Sequence, residues 1–282
     1  MSPLEVMPNG PSDNLKSLED HASAWLAAEA QRLEVVLDDT ALERLARYSK
    51  RIAAGATRAG LTSVRDPLGI ARRHFGEALA LLAVLREAGL LTRGTPARVV
   101  DIGSGAGIPG LVMRIAEPAL RITLVESNAR RCTFLREAAA ELCIGDVQVL
   151  NVRAEEAGHD PELRERFDLS VARAVAPLPV LVEYALPLLA PGGLLAAPKG
   201  SRWAAELDAA GPAITELGGE ALAPLTLPSP PGRPPQRVLL VHRTNELPAH
   251  LPRRPGVPSR RPLGSLSQKP PTEGSAKSHP AR

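Results

Sequence analysis

Apolar positions along the chain follow two different periods. Across residues 18–59 they recur at helical spacing, with Trp25, Leu26, Leu33, Val36 and Leu37 on one face and Leu42, Leu45, Tyr48 and Ile52 on another. A second helical run covers 68–88 and stops at Gly89, the residue type that most readily leaves a helix in a left-handed conformation. Beyond it, short apolar runs alternate with amphipathic stretches. Strands are predicted at 98–102, 121–126, 146–150, 167–172 and 193–197, with helices at 111–116, 129–142, 178–189 and 203–215 between them. Such alternation builds a doubly wound, mostly parallel α/β sheet. A last apolar pair, 221–227 and 237–242, brackets the turn PSPPGRPPQ and reads as an antiparallel hairpin, which makes seven strands.

The pattern divides the chain into a loose start (1–16), a helical N-terminal region (17–92), a sheet domain (93–245) and a Pro/Arg-rich tail (246–282). The tail is too polar to bury a core of its own and is expected to be disordered. Composition adds only a little. At 44% hydrophobic, the 282 residues support a real core. No run of eighteen apolar residues exists, so no membrane span is expected. The first twenty residues hold Glu5, Asp13, Glu19 and Asp20 and lack an apolar core, so no secretory signal is expected either. Cys132 and Cys143 lack metal-ligand spacing and read as buried helical thiols, and the six scattered histidines do not suggest a metal site. A cytoplasmic monomer is expected. The net charge of +3 is uneven, because residues 233–282 hold ten Lys or Arg against Glu246 and Glu273, leaving the rest net acidic. Arg253, Arg254, Arg260 and Arg261 therefore stand out as cations for a phosphate backbone.

The chemistry concentrates in VVDIGSGAGIPGL, Val99 to Leu111. Val99, Val100 and Ile102 end a buried strand, glycines follow at 103, 105, 107 and 110, and a helix begins at Leu111. Strand, glycine loop and helix hold a nucleotide-like ligand at the carboxyl end of a parallel sheet, where glycines permit positive φ and close approach. Gly105-x-Gly107-x-x-Gly110 also fits the dinucleotide fingerprint, with Glu126 placed for a ribose. Asp101 separates the alternatives. A carboxylate beside the loop repels a pyrophosphate but attracts the ammonium and sulfonium of S-adenosylmethionine. The competing reading is that Asp101 only caps the glycine turn.

Further candidates follow the later strands. Glu126, after the second, can accept both ribose hydroxyls. After the third come Arg153-Ala154-Glu155-Glu156, where Ala154 offers backbone and Glu155 a side chain to an adenine edge. Arg173 ends the fourth strand and is costly to desolvate unpaired. It suits a donor carboxylate or an RNA phosphate, and the plainer alternative is a salt bridge to Asp168 or Glu183. Lys199, after the fifth, carries the same ambiguity, and His74 reads first as a packing residue. Neither a pre-proline Asn or Asp after the fourth strand nor a loop cysteine is present, so the target is an atom with its own lone pair, such as a ring nitrogen.

Taken in order, these residues resemble the ribosomal RNA small-subunit methyltransferase G family, also called glucose-inhibited division protein B. The likeness runs from about Leu61 to Leu263. It rests on Leu61-Thr62-Ser63-Val64-Arg65-Asp66-Pro67 with Arg73-His74, on DIGSGAGIPG, on Arg153-Ala154-Glu155-Glu156, on Ala172-Arg173-Ala174 and on Pro198-Lys199-Gly200. Pro252-Arg253-Arg254-Pro255-Gly256 and Pro262-Leu263 match the closing segment. The resemblance implies methyl transfer from S-adenosylmethionine to ring nitrogen 7 of a guanine in 16S ribosomal RNA, free or in the small ribosomal subunit. It puts donor contacts at Gly103, Ile108, Ala154, Glu155 and Arg173, with Gly105 in the loop and Glu126 at the ribose, and it makes Arg173 the catalytic residue. The chain departs from the family at Ala56 and Gly60, where asparagines are usual, and at Glu77-Ala78, where Asp-Ser is common. The rival classes are a NAD(P)-dependent oxidoreductase, which Asp101 and the lack of a substrate domain disfavour, and a non-catalytic RNA-binding protein.

Overall fold

β1 (Ala97–Ile102) is the strand on which the sheet is built. It pairs in parallel with β2 (Leu120–Val125) on one side and β4 (Phe167–Val171) on the other. β3 (Val147–Leu150) lies outside β2, and β5 (Leu189–Lys199) outside β4. The hairpin strands β6 (Gly219–Leu227) and β7 (Gln236–Arg243) run antiparallel, with β7 inserted against β5. The order is thus β3-β2-β1-β4-β5-β7-β6. The chain winds outward from β1 to β3 and then returns to β4, so strand order reverses between β1 and β4. Ligands of open α/β sheets settle at the carboxyl ends of the strands at such a point. The structure, a computed structural model, describes residues 11–56, 60–229 and 236–264, with side chains from residue 20 onward.

Alternation along the strands explains the layers. Val99, Ile122, Leu169 and Val238 face one cluster, and Val100, Val125, Leu195 and Leu239 face the other. Both faces are covered, which is why these strands read as continuous apolar runs. The first face packs α5 (Gly110–Ala116) and α6 (Ala129–Glu141), together with the N-terminal helices α1 (Pro11–Arg32), α2 (Asp39–Gly55), α3 (Pro67–Ile70) and α4 (Gly76–Glu87). The second packs α8 (Leu178–Ala185) and α9 (Trp203–Glu216). Leu26, Leu45, Tyr48, Ile52 and Phe75 belong to the same cluster as the sheet residues, so the N-terminal region shares the sheet's core.

Several boundaries differ from the sequence reading. α1 starts at Pro11, inside the stretch read as loose. The single helical run over 18–59 is two helices, because Glu34 turns into a left-handed conformation (φ 56°) and Asp38 starts α2 by accepting the Ala41 N–H. Val36 then falls in the link and is exposed rather than on a buried face. α2 ends at Gly55, and residues 57–59 lie outside the described ones. The run at 68–88 contains a π-helical turn, Ala71–Phe75, between α3 and α4. Cys132 is buried as expected, but Cys143 lies past the end of α6 and is exposed.

The largest correction concerns the tail. Residues 265–282 lie outside the described ones, yet the chain from Glu246 to Gly264 packs on the sheet domain. Leu247, Leu251 and Leu263 are buried in the second cluster, and a short helix, α10 (Val257–Arg260), follows. The segment has few apolar residues but borrows a core, and its carbonyls find partners. Arg164 donates to the oxygens of Gly158, Leu251 and Pro248. Arg253, taken above as a cation for phosphate, instead grips the fully buried Glu183 through Nε and Nη2 at 2.8 and 2.5 Å. Removing one partner of such a pair strands a buried charge. Arg253→Ala should lower stability by about 3 kcal/mol in urea unfolding. Glu183→Gln in that background should recover part of the loss, and a neutral Arg253→Ala would contradict this packing.

Candidate active site

At the carboxyl end of β1 the chain turns through the glycine loop into α5. Gly103 and Ser104 each donate an N–H to the Val125 carbonyl, which ties the loop to the end of β2. The glycines do different work. A Cβ on Gly103 (φ +63) would meet Val175 at 2.8 Å, and one on Gly107 (φ +72) would meet Leu135 at 2.9 Å. A Cβ on Gly110 would lie 2.8 Å from Asp101. These three glycines serve packing. At Gly105 (φ +57) the nearest atom would be the Gly103 carbonyl at 3.8 Å, so here the missing Cβ leaves room for a ligand.

Asp101 sits under the loop on the α5 face of β1, with no exposure. Its Oδ2 accepts the Gly110 N–H at 2.9 Å, and its Oδ1 has no hydrogen-bond partner. The capping role weighed in the sequence is therefore real, and half of the carboxylate is left over. Burial raises its pKa to about 7, against the opposing pull of the Gly110 N–H and of Arg173, while Glu126 adds to the rise. Glu126 is also buried; its Oε2 accepts the Gly105 N–H at 3.0 Å and its Oε1 the Asn128 N–H at 2.8 Å. The Cys132 thiol and the Asn151 amide donate to the Glu126 carbonyl and fix this turn from behind.

The loop borders a cleft of about 900 Å³. Gly103, Gly105, Ile108 and Arg173 line it together. Glu126 touches it only through Gly105. Ala154 and Glu155 do not line it. Ala154 begins α7 (Ala154–Ala157), and Glu155 is buried, with Oε1 accepting the Gly256 N–H at 2.8 Å. In this structure Glu155 therefore anchors the C-terminal segment. At the tip of β4, Arg173 pairs with neither Asp168 nor Glu183. Asp168 holds Arg98, and Arg173 Nη1 lies 2.7 Å from Glu77 Oε2. The next residue, Ala174, is left-handed (φ 56°), a strained conformation for a residue with a Cβ.

Five cleft residues carry more weight in the structure than in the sequence: Thr62, His74, Glu77, and Lys199 and Glu206, which pair at 2.8 Å. The sequence signals for His74 and Glu77 are the Arg73-His74 and Glu77-Ala78 positions of the family resemblance and their spacing of three, which puts both on one helix face. Tyr48 reaches the loop from α2 and donates to the Ala106 carbonyl, and its ring stacks on Phe75 at 5.5 Å. A separate groove, lined by Arg51, Phe134 and Glu137 between α2 and α6, contains none of the loop.

The chain is similar to several known proteins. The family model for rRNA small subunit methyltransferase G matches residues 41–227. A ribosomal RNA small subunit methyltransferase G of Roseiflexus sp. (strain RS-1) is 42% identical over 80% of this chain and 94% of its own length. The protein of that name in Desulfitobacterium hafniense (strain Y51) is 36% identical over 87% of this chain and 99% of its own. Among solved structures, TrmN from Thermus thermophilus aligns over 61% of this chain and 53% of its own at 23% identity and a TM-score of 0.43.

Asp101 sets a pH signature. In the unfolded chain its carboxyl loses its proton near pH 4, whereas in the fold it keeps the proton up to about 7. Its contribution to stability is thus complete below pH 4 and declines as pH rises through 7. Urea unfolding across pH 4–8 should show this decline in the ligand-free protein, and Asp101→Asn should flatten it. An equal slope in both proteins would contradict the assignment.

Proposed function

This chain belongs to the rRNA small subunit methyltransferase G family, and from that premise we propose that it moves the methyl group of S-adenosylmethionine to ring nitrogen 7 of a guanine in 16S ribosomal RNA. The observation that carries this reading is the half-satisfied, fully buried Asp101 beneath a glycine loop that is open only at Gly105. A cationic donor stabilises the charged form of that carboxylate, whereas a pyrophosphate would oppose it. The residues present fit the donor. Gly105 leaves space beside the loop, and Glu126, which lies behind Gly105, accepts the Gly105 and Asn128 N–H groups and sits 3.8 Å from Arg131, is the carboxylate that would take the ribose hydroxyls. Arg173 offers a planar fork to the donor's carboxylate. Gly103 and Ile108 complete the wall. Ala154 and Glu155 lie outside the cleft, and Glu155 holds the closing segment against α7 by accepting the Gly256 N–H.

When bound, the donor supplies an electrophilic methyl on a sulfonium, and the nitrogen lone pair forms the new N–C bond while the C–S electrons pass to sulfur. Ring nitrogen 7 carries its lone pair in the ring plane and needs no base. The protein's task is alignment and exclusion of water. The methylated ring gains positive charge, which the carboxylates of Asp101, Glu77 and Glu126 favour through space. Arg173 moves no proton. Among the described residues no helix is long and apolar enough to cross a membrane. The protein works as a cytoplasmic monomer on small-subunit RNA.

The test is transfer of labelled methyl to 16S RNA and to small subunits, followed by mapping of the product base. Label at nitrogen 7 of a guanine is expected. Label on an exocyclic amine or a carbon, or no label on either substrate, would overturn the reading. Glu126→Ala should weaken donor binding by about 1.5–3 kcal/mol through loss of charge-assisted hydrogen bonds. Arg173→Ala should lower turnover, and parental rates in both variants would displace the site.

A further inference from the structure

Arg173 belongs to the sheet domain, but what holds it comes from the N-terminal helices. All of its hydrogen bonds within the described residues leave from one nitrogen. Nη1 lies 2.7 Å from Glu77 Oε2 and 3.2 Å from His74 Nδ1. A guanidinium cannot accept, so His74 Nδ1 must be the acceptor and the ring proton must sit on Nε2. Nε2 then donates to Thr62 Oγ1, 2.9 Å away, and Thr62 Oγ1 also accepts the Val64 N–H at 3.2 Å. The series Val64, Thr62, His74, Arg173, Glu77 leads from the connector before α3, through the π turn, to the tip of β4. All four side chains in it line the cleft.

The π turn is what makes this possible. Residues Ala71–Phe75 add an extra residue to one turn of an otherwise α-helical run, and such turns gather at functional sites. Ala71 and Phe75 remain fully buried while His74 and Glu77 face the cleft. Gly76 lies between them. A Cβ there would lie 2.7 Å from the Trp25 ring, so its absence lets α1 brace the turn. Glu77 and Arg173 side chains are 17% and 20% exposed, so the pair is weakly screened and the alignment is firm.

We propose that His74 and Glu77 are positioning residues for Arg173: they fasten Nη1 so that Nε and Nη2 stay turned to the donor. The role rests on the methyltransferase reading above, in which Arg173 faces the donor's carboxylate. It makes the N-terminal region a working part of the site.

The experiment is a double-mutant cycle read in two ways on the full chain. Calorimetry with S-adenosylhomocysteine reads donor-site affinity without RNA, and methyl transfer at saturating donor reads kcat and KM for RNA. Glu77→Gln and His74→Ala should each weaken S-adenosylhomocysteine about tenfold and lower kcat by up to about 100-fold with little change in KM for RNA. Glu77→Asp should restore most of both. Glu77→Gln added to Arg173→Ala should cost nothing more, because partners that act through one another are not additive. Additive losses, or parental affinity and kcat in both Glu77→Gln and His74→Ala, would overturn the proposal, as would failure of Glu77→Asp to rescue a folded protein. The substrate reading fails separately, by a parent chain that binds the donor and labels no RNA.

Discussion

One buried carboxylate organises this molecule. Asp101 lies at the carboxyl end of the central strand with no solvent to share its charge, and one of its oxygens starts α5 by taking the Gly110 N–H. Burial of an ionisable group is costly unless it is paired. Here the structure pairs half of it and leaves the other oxygen without a partner. The glycines follow from this arrangement. Gly110 must lack a Cβ for the carboxylate to reach its N–H, and Gly105 must turn left-handed so that its own N–H reaches Glu126. The loop is therefore shaped from beneath by two carboxylates before any ligand arrives, which is the preorganisation that electrostatic catalysis requires.

The helices that precede the sheet complete the same construction. Tyr48 holds the Ala106 carbonyl, Phe75 stacks on Tyr48, and Glu77 holds Arg173. At the other end of the chain, Arg253 and Gly256 meet Glu183 and Glu155, which draws the closing segment over α7 and α8. Residues from both ends of the chain thus stabilise loops that follow β1, β3 and β4. The sheet supplies the topological switch point, and its flanks fix the side chains that border it.

Much of this was legible in the sequence, for physical reasons that differ by element. The buried strands and the helices between them announce themselves because a two-sided sheet demands continuous apolar runs, and only the ends moved by a few residues. The glycine loop and Asp101 are legible because strand, glycines and helix are contiguous. Arg173 was visible, but its partner was not: Glu77 lies 96 residues away, and no local period reports a contact across that distance. The C-terminal segment was misread for a related reason. Its composition is that of a chain that cannot fold alone, and what it lacks, the apolar surface around Leu181 and Leu217, is supplied by the rest of the molecule. Glu155 was visible as a polar residue after the third strand, yet composition cannot say that its carboxylate faces Gly256.

The central claim is that the loop above Asp101 receives a cationic donor and not a pyrophosphate. The most direct measurement is calorimetric titration of the full chain with S-adenosylmethionine, S-adenosylhomocysteine and NAD, with Gly105→Val as the control that fills the open position. The account predicts binding of both adenosyl compounds, no response to NAD, and loss of the adenosyl signal in Gly105→Val. Tight binding of NAD with no response to either adenosyl compound would contradict it.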